Sequence, residues 1–216
     1  DVLVKLEGIE PHQIFIMGHS EGCVIAAHVM QRRSIAAGLI LLCPFIEPIE
    51  VLLMRQAACI EKELRSQRGF KGVYYRLLFK LIGTPQEAQQ RLIRRAKQAD
   101  AATVRIAMHV QPAKWLRELL ALDVPLIFSK INDPMLLIAG EKDLQCKPED
   151  SACIAKLVSG PANVFIVNHM THTLRINEKT PSLLNTACLT KKPISPSVYE
   201  ESIRWINAQV RLFHEI

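Results

Sequence analysis

The sequence predicts an α/β fold, a mostly parallel sheet covered by helices and interrupted by a helical insertion. Three observations lead there. Four short runs, Ile14–Met17, Gly38–Cys43, Met135–Ala139 and Val164–Val167, are apolar throughout rather than alternating, as strands buried on both faces are. Helical periodicity follows the first and third of them. The stretch between the second and third changes character to helical spacing alone, which divides the chain into 1–46, 47–123 and 124–216.

Taken in order, residues 1–9 read as a short amphipathic helix with Val2, Leu3, Leu6 and Ile9 on one side. Ile14–Met17 is the first strand. Glu21–Arg33 is a helix with small residues, Ala26 and Ala27, where close packing on a sheet needs them. Gly38–Cys43 is the second strand, stopped by Pro44. In the insertion, Leu52, Leu53, Ala57, Ile60 and Leu64 follow helical spacing, and Gly69 to Gly72 interrupts it. Thr84-Pro85-Gln86-Glu87 is a capping box with proline at the first helical position, opening a helix to about Ala99. Pro112 opens another that carries Trp115, Leu116, Leu119 and Leu120. This insertion reads as wholly helical. The strand Met135–Ala139, a helix over Glu149–Val158 and the strand Val164–Val167 follow. Val198–Phe213 closes the chain as an amphipathic helix with Ile203, Trp205, Ile206, Val210 and Phe213.

The chain has 216 residues, 49% of them apolar and 22% charged, which is globular composition rather than disordered. Its longest apolar stretch, Ile35 to Ile46, contains Gly38 and Pro44 and falls below the ~18 residues of a membrane span. The first residues carry neither the basic nor the long apolar region of a signal peptide. Six cysteines, at 23, 43, 59, 146, 153 and 188, are scattered singly, which excludes zinc-ligand spacing and a disulfide framework and fits a reduced, cytoplasmic compartment. Of the net charge of +6, the stretch Arg55 to Lys97 supplies more than the whole, with eleven Lys/Arg against three Asp/Glu. That run is either a solvated helical face or a field favouring an anionic substrate. It lacks the aromatic interleaving of a nucleic-acid surface, so no nucleic-acid partner is expected.

The segment Gly18-His19-Ser20-Glu21-Gly22 lies between a buried strand and a helix. G-x-S-x-G in that context is a nucleophile elbow. The turn is so sharp that a Cβ at Gly18 or Gly22 would collide, and Ser20 is pushed out at the carboxyl edge of the sheet. The amide of Glu21 then sits at the helix start, where the dipole favours a developing oxyanion. A serine hydroxyl needs a base, and the base an orienting carboxylate, in the order Ser, acid, His. Asp143 follows the strand at 135–139 and His172 follows the strand at 164–167, so each projects at the edge that presents Ser20. His169 competes as the base and Glu141 as the acid. His19 reads as an elbow-packing residue and Cys23 as a small packed side chain. A dinucleotide fingerprint fails because Ser20 occupies the middle glycine position.

These residues resemble the α/β-hydrolase superfamily over essentially the whole chain. IFIMGHSEGCVIAA is similar to its elbow, DPMLLIAGEKDLQ to its acid loop, and HMTHTLR to the histidine loop of capped bacterial serine hydrolases. The resemblance implies Ser20 as nucleophile, Asp143 as acid, His172 as base and residues 47–123 as a helical cap. It implies carboxylic esters as the leading substrate class, with acyl thioesters, peptides or a catalytically silent binding module as alternatives, and no metal or organic cofactor. In the superfamily the elbow follows the fifth strand, whereas seventeen residues precede GHSEG here. Four strands with their crossovers do not fit in that length. The chain therefore reads as the carboxyl-terminal two-thirds of a hydrolase, with a second oxyanion donor outside it. An unpaired edge at the elbow strand offers a route to oligomers, and the 216-residue chain alone is expected to be poorly soluble or weakly active.

Overall fold

The structure, a computed structural model, describes residues 7–10, 13–32, 36–106 and 109–214. They divide into two compact units. One comprises residues 1–46, 124–181 and 186–216, and the other 47–123 with 182–185. Of the helix expected over residues 1–9, positions 1–6 lie outside the described residues, and residues 7 and 8 form a turn.

In the first unit, β1 (Phe15–His19), β2 (Gly38–Leu42), β5 (Met135–Gly140) and β6 (Ala162–Val167) form one parallel sheet in the order β1-β2-β5-β6. Spatial order equals chain order, so right-handed crossovers bring the connecting helices of this unit to one face. Accordingly α1 (Glu21–Arg32) packs on β1 and β2, α7 (Glu149–Leu157) packs on β5 and β6, and α6 (Val124–Ser129) lies between α1 and α7. Ala26 and Ala27 of α1 are both buried. On the opposite face Ile40, Leu42, Leu136 and Ile138 meet Val198 and Trp205 of the closing helix α9 (Pro196–His214). There the Trp205 ring approaches β2 so closely that a Cβ on Gly38 would lie 2.7 Å from it.

The central strands β2 and β5 are buried at every position, as continuous apolar runs require. The outer strands depart from that expectation. Met17 in β1 is 54% exposed, and Val164 and Ile166 in β6 are also exposed, because each of these strands has a sheet neighbour on one side only among the described residues. The registers His19↔Leu42, Leu42↔Ile138 and Gly140↔Val167 bring the carboxyl ends of all four strands to one edge.

The second unit holds α2 (Ile49–Arg65), α3 (Gly69–Ile82), α4 (Pro85–Gln98) and α5 (Ala113–Leu120) around Ala96, Ala113 and Leu116. It differs from the expected all-helical insertion in two ways. Val104–Ile106 and His109–Gln111 pair as an antiparallel ribbon, β3 and β4. Residues this short and mixed in polarity carry no strand periodicity. Nor does Gly69 to Gly72 interrupt a helix. It opens α3, with Gly69 at a positive φ that suits a glycine and Gly72 pressed against the Gln67 carbonyl. The capping box is formed: Thr84 Oγ1 accepts from the Glu87 amide and Glu87 accepts from the Thr84 amide. Residues 182–185 join this unit through Glu63, whose carboxylate accepts from the Ser182 hydroxyl and the Leu183 amide. A cavity of about 680 Å³ lies within the unit, its walls mainly Leu53, Ile60, Phe79, Ile82 and Leu92, with Arg91 at its margin.

Candidate active site

Strand β1 ends at His19 and α1 begins at Glu21, so Ser20 alone makes the turn, at φ 56°. A non-glycine residue there is strained, and the strain is held by the Ser20 amide donating to Leu42 O (2.9 Å) and Ser20 O accepting from the Cys23 amide (2.9 Å). A Cβ on Gly18 would overlap the Gly22 carbonyl and lie 2.8 Å from the Cys23 nitrogen. At Gly22 the expectation fails, since nothing lies within 4 Å of an added Cβ. The close approach is one-sided: the side-chain direction of Gly18 points at the backbone of Gly22, not the reverse.

The acid loop follows β5. Asp143 is buried, and its Oδ1 accepts from the amides of Gln145 (2.8 Å) and Cys146 (2.9 Å), leaving Oδ2 for the His172 Nδ1 at 2.8 Å. A carboxylate on Nδ1 fixes the proton there, so the neutral ring carries its lone pair on Nε2. His169 stands elsewhere. Its ring lies 3.9 Å from Glu141 and 3.8 Å from Glu178, its amide donates to Glu141, and its side chain is about half exposed. Between the competing pairs, His172 with Asp143 is the one buried and bonded, and Glu141 partners His169. Among the described residues no hydrogen bond joins the Ser20 hydroxyl to His172.

Two features escaped sequence reasoning. His19 is more than elbow packing: its Nε2–H donates to the His172 carbonyl at 2.9 Å, and the two rings lie 4.9 Å apart. The residue is exposed overall, yet burial of the ring lowers its pKa, opposed by the bond to the His172 carbonyl. Cys43, at φ 51° after β2, directs its thiol at the same carbonyl from 3.8 Å. The second is Gly140. A Cβ there would overlap the Met170 carbonyl, and the Glu141 and Lys142 amides donate to Val167 O and Met170 O, so the acid and histidine loops are stitched together by backbone. All four non-glycine residues with positive φ among those described, Ser20, Cys43, His169 and Leu174, lie at or beside this edge, as strained positions do at functional sites.

Cys23 is buried. Its thiol donates to Gly18 O and Leu42 O, and desolvation raises its pKa, as befits a packed side chain. Two groups of potential metal ligands, His19 with Cys43 and His172, and Asp143 with Cys146 and His172, have donor atoms within 4.8 Å of one another. In both, His172 already spends Nδ1 on Asp143. In the first, burial pushes the Cys43 thiol well above its ordinary range, against the thiolate a soft metal needs.

The chain is 24% identical over 211 residues to esterase EstD of Thermotoga maritima, covering 95% of this chain and 45% of that protein, so it spans about half the length of this curated relative. Its fold is similar to that of DcsB, solved with a substrate analogue (TM-score 0.52, 11% identity, 96% of this chain and 69% of that one). It is also similar to an acetyl xylan esterase from Paenibacillus sp. R4 (TM-score 0.50, 17% identity, 96% and 49%). The match to the Hydrolase_4 family, serine aminopeptidase, S33, runs over residues 3–180. A family match across most of the chain, on a parallel sheet of the α/β-hydrolase type, makes this chain a member of that family.

Proposed function

We propose that the protein is a serine hydrolase cleaving carboxylic esters through an acyl-enzyme, with Ser20 as nucleophile, His172 as base and Asp143 as orienting acid. The observation that carries the reading is the buried bond from His172 Nδ1 to Asp143 Oδ2, at the sheet edge where the strained Ser20 turn also stands. As the Ser20 Oγ bonds to the ester carbon, its proton passes to His172 Nε2 and the carbonyl π pair moves to oxygen. The amide of Glu21, first residue of α1, faces that charge with the positive end of the helix dipole. Collapse expels the alcohol, which takes the proton from Nε2. Water then repeats the cycle on the acyl-enzyme and releases the acid.

The similarity to esterase EstD supports esters as the substrate class. The family description favours a second reading, hydrolysis of peptide amides. The six free cysteines support a reducing, cytoplasmic setting, and no described helix is long and apolar enough to cross a membrane.

A fluorophosphonate probe tests the reading. Covalent labelling at Ser20, abolished in Ser20→Ala and reduced in His172→Ala, is expected. Asp143→Asn should lower kcat for p-nitrophenyl butyrate by roughly 10³- to 10⁴-fold. Folded full-length protein that takes no label ends the enzyme reading, whereas its faster turnover of aminoacyl p-nitroanilides than of esters moves it to the peptidase.

A further inference from the structure

We infer that α3 is a membrane-surface helix that docks the protein on anionic lipid. Along Gly69–Ile82, Phe70, Tyr74, Leu77 and Leu81 recur at the spacing of one helical stripe, and they are 97%, 59%, 56% and 82% exposed. The opposite side, with Gly72 buried and Tyr75 and Phe79 half-buried, packs on its own unit. The helix is thus apolar on two faces, and only one is used internally. A continuous exposed stripe of this kind marks an interaction site.

Charge identifies the occupant. Lys71 lies on one shoulder of the stripe and Arg76 and Lys80 on the other, while no Asp or Glu occurs from residue 64 to 86. Cations flanking an apolar and aromatic face are the arrangement of a helix lying in an anionic headgroup layer, where long side chains reach phosphates as the rings enter the acyl boundary. A second copy docked face to face across a two-fold axis would set these cations against their own kind. Spanning is excluded by length. Fourteen residues rise about 21 Å, short of the ~30 Å hydrocarbon core.

The inference does not depend on the hydrolase reading, and binding is measured without turnover. Phe70→Trp reports insertion as a blue shift of its emission on adding phosphatidylcholine vesicles containing phosphatidylglycerol, read against the parent protein. Co-sedimentation with those vesicles should exceed that with pure phosphatidylcholine. It should fall roughly 100-fold in Lys71→Gln/Arg76→Gln/Lys80→Gln, at about a factor of five per cation, and collapse in Phe70→Ser/Leu77→Ser/Leu81→Ser. Leu81→Ser alone guards against misfolding of the triple variant, and should weaken binding with the melting curve unchanged. Three results overturn the inference: no shift at position 70, binding indifferent to these substitutions, or a shift that follows protein concentration in the absence of vesicles.

Discussion

The Nε2–H of His19 donates to the backbone carbonyl of His172 at 2.9 Å, and the two imidazoles lie 4.9 Å apart at a tilt of 42°. The residue before the proposed nucleophile therefore holds the main chain of the proposed base. In His19→Ala the loop loses that hold, and kcat for an ester should fall on the order of 10- to 100-fold with KM little changed, the cost of a misplaced reacting group. His19→Gln keeps a donor and should restore much of the rate. Equal kcat in the alanine variant and the parent would show that His19 positions nothing.

The same ring predicts a pH effect on stability. Burial lowers the His19 pKa, the charges of His172 and Arg175 act in the same direction, and the His172 carbonyl and Asp143 act against it. With the folded pKa below the unfolded one, the unfolded chain takes up the proton first as pH falls. The stabilisation is present above about pH 6.5 and is lost as pH drops through the folded pKa. Thermal melts between about pH 7.5 and 5 should fall more steeply for the parent than for His19→Gln. Parallel curves would remove the linkage.

The glycines of the edge should separate by substitution. Gly18→Ala and Gly140→Ala drive a methyl into the carbonyls of Gly22 and Met170, and each should cost about 1–3 kcal/mol in denaturant titrations. Gly22→Ala meets no atom within 4 Å and sits in the first turn of α1, so it should be neutral or stabilising by up to about 1 kcal/mol. A collapse of stability in Gly22→Ala would mean that the elbow is pressed from both sides.

The contrast between these glycines shows where the sequence was legible. The strands β2 and β5, the helix α1 and the capping box announced themselves because each is decided locally, by an unbroken apolar run, a 3.6-residue period or a side chain reaching three residues on. The strand ends brought Ser20, the Glu141/Asp143 loop and the His169/His172 loop to one edge, and left the choice within each loop open. What stayed hidden depends on contacts across the chain. Gly140 is required by Met170, 30 positions on, and His19 by a carbonyl 153 residues away. The β3–β4 ribbon pairs three-residue strands whose pattern carries no period, and Gly69 reads as a break although its positive φ starts a helix.

The cysteines test whether the serine is the nucleophile. Cys23, three residues beyond Ser20, donates its thiol to Gly18 O at 3.3 Å and Leu42 O at 3.2 Å, and burial raises its pKa, so almost no thiolate forms near neutral pH. Cys43 is buried and raised in the same way, whereas Cys153 and Cys188 are exposed. Iodoacetamide on the native protein should modify positions 153 and 188, spare 23 and 43, and leave ester turnover intact, with peptide mapping as the readout. Cys23→Ala should cost about 0.5–3 kcal/mol of stability, the usual range for a buried truncation, and keep Ser20 labelling by the fluorophosphonate. Loss of turnover that tracks alkylation of Cys23, together with activity retained in Ser20→Ala, would move the nucleophile from oxygen to sulfur.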